Sequence, residues 1–218
     1  MLQPNEWIEL LKATWETLYM VGISGVLSVL IGVPLGIFLV LTDKDQLLEN
    51  KGMNTILAIV VNIFRSIPFI ILMVLLIPFT EIIAGSAIGP TAATVPLFVG
   101  AAPFFARLVE TSLREVNKGV IEAALAMGAN TRQIIMKVYL PEAMPSIISG
   151  VTVTLVALIS YSAMAGVVGG GGLGNMAIMY GYQQYNTPVM LITTAFILVL
   201  VQLVQSFGDI ISKRIDKK

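Results

Sequence analysis

The chain has 218 residues, of which 56% are hydrophobic and 12% are charged, and its formal net charge is zero. Soluble domains carry about 25% charged residues, so half that share indicates a protein of the lipid bilayer, and the balanced charge does not favour a nucleic acid partner. The sequence contains no cysteine and no histidine, which excludes disulfides, thiol nucleophiles, histidine acid–base chemistry and the usual zinc sites.

Five stretches of the sequence are apolar over the roughly 20 residues that a helix needs to cross the hydrocarbon core. They cover residues 17–41, 56–79, 88–109, 146–168 and 187–210. Each must be helical, because lipid offers the backbone no hydrogen-bond partner. We therefore predict an all-α polytopic membrane protein whose residues 1–218 form a single transmembrane domain with five spans. Pro96 and Pro103 predict that the third span is interrupted and kinked.

The residues before the first span predict a separate amphipathic helix that lies along the membrane surface. Asn5 is a suitable N-cap residue, and the side chains that follow at helical spacing share one face. These are Trp7, Leu10, Leu11, Thr14, Trp15 and Leu18. The two tryptophans suit the headgroup region.

Small residues recur every four positions in the first span, at Ser24, Ser28, Gly32 and Gly36. In lipid, small residues at this spacing let two helix backbones approach closely. We interpret them as packing positions inside the bundle, and contact with a second copy of the chain is the alternative.

Arg65 lies inside the second span, where a charged side chain costs at least about 2.5 kcal/mol on insertion scales. It must therefore face water or a partner. One interpretation is that Arg65 snorkels or binds backbone carbonyls at a helix break, since Pro68 frees the carbonyl of Phe64. The other is that it lines an inward-facing cavity or pairs with Glu110, near the end of the third span.

Glu110 also has two arginines at helical spacings, Arg107 three residues before it and Arg114 four residues after it. Such pairs usually lie on a solvated or interfacial face and contribute about 0.2–0.5 kcal/mol each. We therefore assign them no chemical role.

A polar, helix-forming stretch separates the third and fourth spans at residues 117–141, and we call it the polar segment. Its first helix is predicted over residues 120–127, with Glu122 in the first turn, where a negative charge favours the positive end of the helix dipole. Gly128 can take the left-handed conformation that ends a helix. The helix also contains small or flexible side chains, which would let a partner approach its backbone closely. They are Ala123, Ala124, Ala126 and Met127.

The second half of the polar segment predicts another helix over residues 132–140, capped by Thr131. Pro141 and Pro145 then redirect the chain into the fourth span. The prediction is a helix-turn-helix outside the bilayer, which either binds a soluble partner or only shields the base of the bundle.

Two features mark the end of the fourth span. Tyr161 and Met164 lie at middle to outer depth, and a flexible thioether suits a hydrophobic gate, with ordinary packing as the alternative. Residues 169–174, GGGGLG, form what we call the glycine segment. It contains the pattern GxGxxG, but it follows a predicted helix and has no Lys-Ser/Thr, so we interpret it as pliant backbone at the outer end of the fourth span rather than a phosphate loop.

Basic residues lie almost entirely on one side of a five-span arrangement, because they follow the first, third and last spans. Lys12 falls on the other side. Since positively charged connections stay in the cytoplasm, we predict a cytoplasmic C-terminus, an N-terminus outside and a cytoplasmic polar segment.

The polar segment resembles the cytoplasmic loop of type I ABC importer permeases. The matching positions are Glu122-Ala123-Ala124, Gly128, Val138 and Leu140-Pro141. The family usually has isoleucine in place of Val138, which is a conservative departure. The stretches ATWETLYM, NIFRSIPFIIL, VGAAPFFARLVE and YSAMAGVVGGGGLG extend the resemblance over nearly the whole chain and are similar to the permeases of bacterial methionine uptake systems.

The resemblance implies a function and a set of partners. The first helix would be a coupling helix that docks into a separate ATPase subunit. The contact residues would be Glu122, Ala123, Ala124, Ala126, Met127 and Gly128. The resemblance also implies a homodimer in the inner (plasma) membrane, with two ATPase subunits and an extracytoplasmic solute-binding protein, that imports a small amino acid such as methionine by alternating access. Candidate pathway residues are Arg65, Tyr161 and Met164.

The chain has no Walker motif, so ATP and magnesium would bind to the partner ATPase, and this chain would bind no cofactor and catalyse no reaction. A permease for another amino acid or small solute stays open as an alternative, because the substrate follows from similarity alone. A secondary carrier would need ionisable groups deep in the spans, and only Arg65 is found there.

Overall fold

The computed structural model describes the backbone of residues 4–215 and the side chains of residues 6–215. Within this range the chain is built from helices and forms no strand, which confirms the all-α prediction. The helices are α1 (Pro4–Leu41), α2 (Lys51–Ser66), α3 (Phe69–Leu75), α4 (Ile77–Ala84), α5 (Pro90–Arg114), α6 (Lys118–Ala126), α7 (Thr131–Ile134), α8 (Leu140–Val167), α9 (Gly172–Asn175) and α10 (Thr187–Ile215). Two π-helical stretches, Ile135–Tyr139 and Met176–Tyr182, continue α7 into α8 and extend α9.

Four helical stretches are long and apolar enough to cross a membrane. They are Glu6–Leu41, Pro90–Arg114, Thr131–Val167 and Thr187–Ile215. Helices α2 and α3 pass the same test only as a pair, which is bent by 104°. The described residues therefore contain four membrane-crossing helices, or five if the bent pair makes one crossing.

The second and third spans both differ from the prediction. Helix α5 continues unbroken through Pro96 and Pro103, because α1 and α8 pack against it and neighbouring helices allow proline inside a membrane helix. A break does occur in the second span, at Pro68, where one interpretation of Arg65 assumed it. Pro68 cannot donate to the helix and holds Ile67 in an extended conformation, with ψ at 124°.

The predicted surface helix before the first span is instead the beginning of α1, which runs on without a break. Leu10 is fully buried and belongs to a cluster with Leu173. One face of this part of α1 therefore packs on the rest of the protein. Trp7 and Trp15 are exposed, and the side chain of Asn5 lies outside the described side chains.

Helices α1 and α5 cross closely at the centre of the bundle. A Cβ atom at Gly36 would lie 2.6 Å from the Cβ atom of Val109 and 2.7 Å from the carbonyl oxygen of Ala106. The four small residues of α1 are all buried. They are Ser24, Ser28, Gly32 and Gly36. Their interpretation as packing positions inside the bundle is confirmed.

The polar segment and the glycine segment lie at opposite ends of α8, whose 28 residues span about 42 Å. We call these the polar end and the glycine end of the bundle. Asn54, near the start of α2, donates to the carbonyl oxygen of Leu39 at the polar end. Thr80 of α4 shares a cavity with Gly170 at the glycine end. Helices α2, α3 and α4 together therefore carry the chain from one end to the other.

Candidate coupling and pathway sites

The first helix of the polar segment is α6, which begins two residues earlier than predicted because Asn117 caps it. The side chain of Asn117 accepts a hydrogen bond from the amide of Gly119 at 2.8 Å. Glu122 consequently lies in the second turn rather than the first, so the proposed interaction with the helix dipole does not hold, since that effect is confined to the first turn.

Gly128 ends α6 in the predicted left-handed conformation, with φ at +80°. The amide of Gly128 donates to the carbonyl oxygen of Leu125 at 2.9 Å, and the amide of Ala129 donates to that of Ala124 at 3.0 Å. This pair of hydrogen bonds is a Schellman motif, which satisfies the last carbonyl groups of the helix.

The second helix of the polar segment differs from the prediction at both ends. Asn130, not Thr131, is its cap, and it forms a reciprocal capping box with Gln133. The helix does not stop before the fourth span but continues through the π-helical stretch into α8. Pro141 and Pro145 therefore do not redirect the chain. Proline is tolerated in the first turn of a helix, and the wider π turn supplies a hydrogen bond from Leu140 to Ile135.

The predicted contact residues of α6 fall on two sides of the helix. Ala124 is 6% exposed and packs in a buried cluster with Ile134 and Tyr139. The others are exposed, with Met127 the most open at 82%. They are Glu122, Ala123, Ala126, Met127 and Gly128. One face of the helix thus packs on the bundle, and the opposite face is exposed and accessible to a partner.

A polar cleft of about 570 Å³ lies between α6, the end of α5 and the connection from α1 to α2. Charged side chains of both signs line it. They include Lys44, Asp45, Arg114, Lys118 and Glu122. Tyr139 lines the same cleft and donates to the side-chain oxygen of Gln46 at 3.2 Å. The cleft shows that α6 stands away from the α1–α2 connection.

Glu110 is buried at 6% exposure, so its predicted position on a solvated face is wrong. Arg107 donates to one carboxylate oxygen at 2.5 Å, and Arg114 donates to the other through Nε at 3.0 Å and Nη2 at 2.9 Å. Arg107 also donates to Asn62 of α2 at 2.9 Å, and Arg114 to Asp43 of the α1–α2 connection at 2.7 Å. We call these contacts the Glu110 network. They join α5 to α2 and to the α1–α2 connection.

The Glu110 network lowers the pKa of Asp43. The hydrogen bond from Arg114, and then the backbone amide of Lys44, hold the pKa of the Asp43 carboxyl below its usual value. The sequence analysis missed Asp43 and Asn62, because neither lies at helical spacing from its arginine.

Two of the three pathway candidates share a cavity of about 280 Å³ beside the break at Pro68. Arg65 and Tyr161 both line it. The ring of Tyr161 stacks on Phe69 of α3, with ring centroids 4.5 Å apart. Met164 lies one turn further along α8, is 44% exposed and does not line this cavity. The alternative pair between Arg65 and Glu110 is not formed, since the ion-pair partners of Glu110 are Arg107 and Arg114.

The glycine segment is held by side chains of α1. The amide of Gly172 donates to a carboxylate oxygen of Glu16 at 2.8 Å, and the amide of Leu173 donates to the hydroxyl of Thr17 at 2.9 Å. Gly172 has φ at +79°, a conformation that favours glycine. The sequence analysis missed Glu16, although it is the last charged residue of α1 before the apolar stretch at 17–41, which was a visible signal.

The fold and these sites agree with a known family of transport proteins. The family described as the binding-protein-dependent transport system inner membrane component matches residues 32–217, and the chain belongs to this family. It is therefore a membrane component of a transport system. The described residues contain no group of three or more acidic side chains arranged to hold a metal ion.

Individual relatives align with nearly the whole chain. The probable D-methionine transport system permease protein MetI of Vibrio cholerae is 55% identical over 209 residues, which are 96% of this chain and 93% of the relative. The methionine import system permease protein MetP of Bacillus subtilis is 55% identical over 216 residues, 99% and 97% of the two chains. A solved chain of the MetNI methionine ABC transporter, in an inward-facing conformation, covers 100% of both chains with a TM-score of 0.97 and 47% identity. The predicted resemblance to ABC importer permeases is confirmed.

Proposed function

We propose that the chain is the permease subunit of an ATP-driven methionine importer, acting as a homodimer with two ATPase subunits and an extracytoplasmic binding protein. Both relatives are named for methionine transport and align with nearly the whole chain. The observation that carries the proposal is α6, a short helix outside the apolar spans. One face is fastened by Ala124, the other is open at Met127, and a left-handed glycine ends it.

We also propose five crossings of the inner membrane, with the N-terminus outside and the C-terminus in the cytoplasm. The path of α2 to α4 from the polar end to the glycine end supports the fifth crossing. The distribution of basic residues supports the orientation. Lys44 and Lys118 line the cleft at the polar end, whereas Lys12 lines a cavity with Gly172 at the glycine end.

In the complex, α6 would act as a lever. Glu122, Ala123, Ala126 and Met127 would contact a groove of the ATPase, and Gly128 would shape the turn. ATP and magnesium would bind to the ATPase, and closure of the two ATPases would move α6. The buried contact of Ala124 with Ile134 and Tyr139 would pass this motion to the spans, which would alternate between outward-facing and inward-facing arrangements.

The pathway would run beside the break in the second span. Arg65 and Tyr161 would line it, because they share one cavity. Met164, which is exposed toward the glycine end of α8, would form a gate with the second copy of the chain.

The test of the docking helix replaces Gly128 with valine. The left-handed conformation costs an L-residue about 1–2 kcal/mol, so we expect about a tenfold loss of ATPase association and of methionine uptake. Association is measured by co-purification with the native ATPase, and uptake in vesicles that also contain the binding protein.

Gly85 provides the matched control. It also follows a helix with a positive φ, at +72°, and a Cβ atom would meet nothing within 4 Å at either glycine. Because Gly85 ends α4, away from α6, Gly85→Val should cost similar stability and leave ATPase association unchanged. Normal association and uptake in Gly128→Val would show that α6 is not the docking helix.

A further inference from the structure

We propose that the cavity beside Pro68 binds the transported solute as an amino acid zwitterion. Arg65 would bind the carboxylate, the carbonyl oxygen of Phe64 would accept from the ammonium group, and Phe69 and Tyr161 would contact an apolar side chain. This inference rests on the proposed import function and assigns it a contact site.

The cavity combines one cation with several aromatic rings. It lies where the end of α2, the start of α3, α5 and α8 meet, and its volume is about 280 Å³. Among the described residues that line it, Arg65 alone is charged. The lining residues that form its apolar part include Phe64, Phe69, Leu72, Phe104 and Tyr161.

The guanidinium group of Arg65 is available to bind a ligand. No hydrogen bond or ion pair joins it to another residue of the described chain, whereas Arg107 and Arg114 are engaged by Glu110, Asn62 and Asp43. A guanidinium presents a planar fork of N–H groups that matches a carboxylate. An unpaired charge inside an apolar span is costly and marks a wet cavity or a ligand pathway.

The helix break supplies the complementary acceptor. In an unbroken helix the carbonyl of Phe64 would accept from residue 68, but Pro68 has no N–H group, and the amide of Ile67 donates to Ile63. Phe64 therefore has a free carbonyl one residue before the guanidinium of Arg65. Neighbouring donor and acceptor groups at an interrupted membrane helix suit a small zwitterion.

The rings favour a side chain such as a thioether. Tyr161 and Phe69 both line the cavity, and their rings stack with an interplanar angle of 10°, so they supply an aromatic surface beside Arg65. Sulfur contacts aromatic rings favourably. Gly100 of α5 admits α3 at this point, since a Cβ atom there would lie 3.2 Å from Leu72 and 3.4 Å from Phe69.

The test is equilibrium binding of labelled methionine to the detergent-solubilised permease–ATPase complex without the binding protein, with methioninamide as competitor. Methioninamide keeps the ammonium and thioether groups but lacks the carboxylate. We expect the native complex to prefer methionine by at least tenfold. We expect Arg65→Gln to lose this preference by weakening methionine binding and leaving methioninamide binding nearly unchanged. A merely structural role would weaken both ligands equally.

Two further variants make the result decisive. Lys51→Gln removes an exposed cation at the other end of α2 and should keep the tenfold preference. Arg65→Lys retains the charge without the fork and should show an intermediate preference, which provides a readout if Arg65→Gln fails to assemble. An unchanged preference in both Arg65 variants would overturn the proposed site. Absence of methionine uptake by the native complex in vesicles would instead refute the proposed function.

Discussion

The two ends of the bundle each hold an irregular piece of chain, but they do so with different groups. At the polar end, side chains perform this task. Asn117 and Asn130 cap the two helices, and Glu110 ties α5 to the neighbouring segments. Gly128 is open there, with no atom within 4 Å of a Cβ position.

At the glycine end, backbone packs on backbone. A Cβ atom at Gly174 would lie 2.2 Å from the Cα atom of Ala163, and one at Gly166 would lie 2.3 Å from the amide nitrogen of Asn175. Helix α9 is thus pressed against α8 at positions where only glycine fits. The difference predicts that the glycine end is sensitive to added atoms, whereas the polar end is sensitive to removed polar groups.

The largest expected effect is that of Gly174→Ala. Its methyl group would overlap with the backbone of Ala163, which cannot move aside as a side chain can. We expect a loss of at least about 3 kcal/mol in the free energy of unfolding, at the upper end of overpacking effects. Thermal unfolding of the purified chain in detergent measures the loss.

Two other glycines sharpen this result. Gly128→Ala meets only the strain of its positive φ and should cost about 1–2 kcal/mol. Gly22 lies on an exposed part of α1 with nothing within 4 Å of its Cβ position, and Gly22→Ala should not destabilise the chain. Equal unfolding temperatures for the alanine variants at Gly174 and Gly22 would contradict the close packing of α9 on α8.

Removal of the charge at Glu110 should have the next largest effect. Glu110→Gln leaves two arginines facing a neutral amide in a buried position, and losing one partner of a fully buried pair costs about 3–5 kcal/mol. Because Arg107 and Arg114 are partly exposed, we expect about 2 kcal/mol, again from thermal unfolding. The exposed Glu81 of α4 supplies the control, since Glu81→Gln should stay within about 0.5 kcal/mol. Similar losses in both variants would show that the Glu110 network does not hold the polar end.

The features that the sequence predicted well are local ones. The left-handed turn at Gly128 and the helix on each side of it depend on neighbours within a few turns. The packing of Gly32 and Gly36 was predicted from the spacing of small residues along α1, although their contacts lie on α5. The same local reasoning placed a helix interruption at Pro96 and Pro103, where packing by α1 and α8 overrides it. It also assumed a helix break at Pro68, and the structure has one there.

Contacts between distant residues could not be predicted from the sequence. Glu16 and Gly172 are 156 positions apart, and nothing in either stretch identifies the other. Asn62 meets Arg107 across 45 positions. Glu110 was assigned to a solvated face because pair spacing along a helix says nothing about burial. The cavity that joins Arg65 to Tyr161 depends on how α3 folds back after the break.

The smallest expected effect tests one of the two side chains of α1 that accept hydrogen bonds from the glycine segment. Glu16→Ala removes the acceptor for the amide of Gly172, and we expect a loss of about 1 kcal/mol, because water can replace part of a hydrogen bond to a side chain that is 23% exposed. The hydrogen exchange of the Gly172 amide should then accelerate about fivefold, since 1 kcal/mol corresponds to that factor. The Leu173 amide should change less, because Thr17 still accepts from it.

Glu9 is exposed on the same helix and forms no hydrogen bond to the glycine segment, so Glu9→Ala should leave both rates unchanged. If Glu16→Ala also leaves them unchanged, backbone packing alone holds the segment.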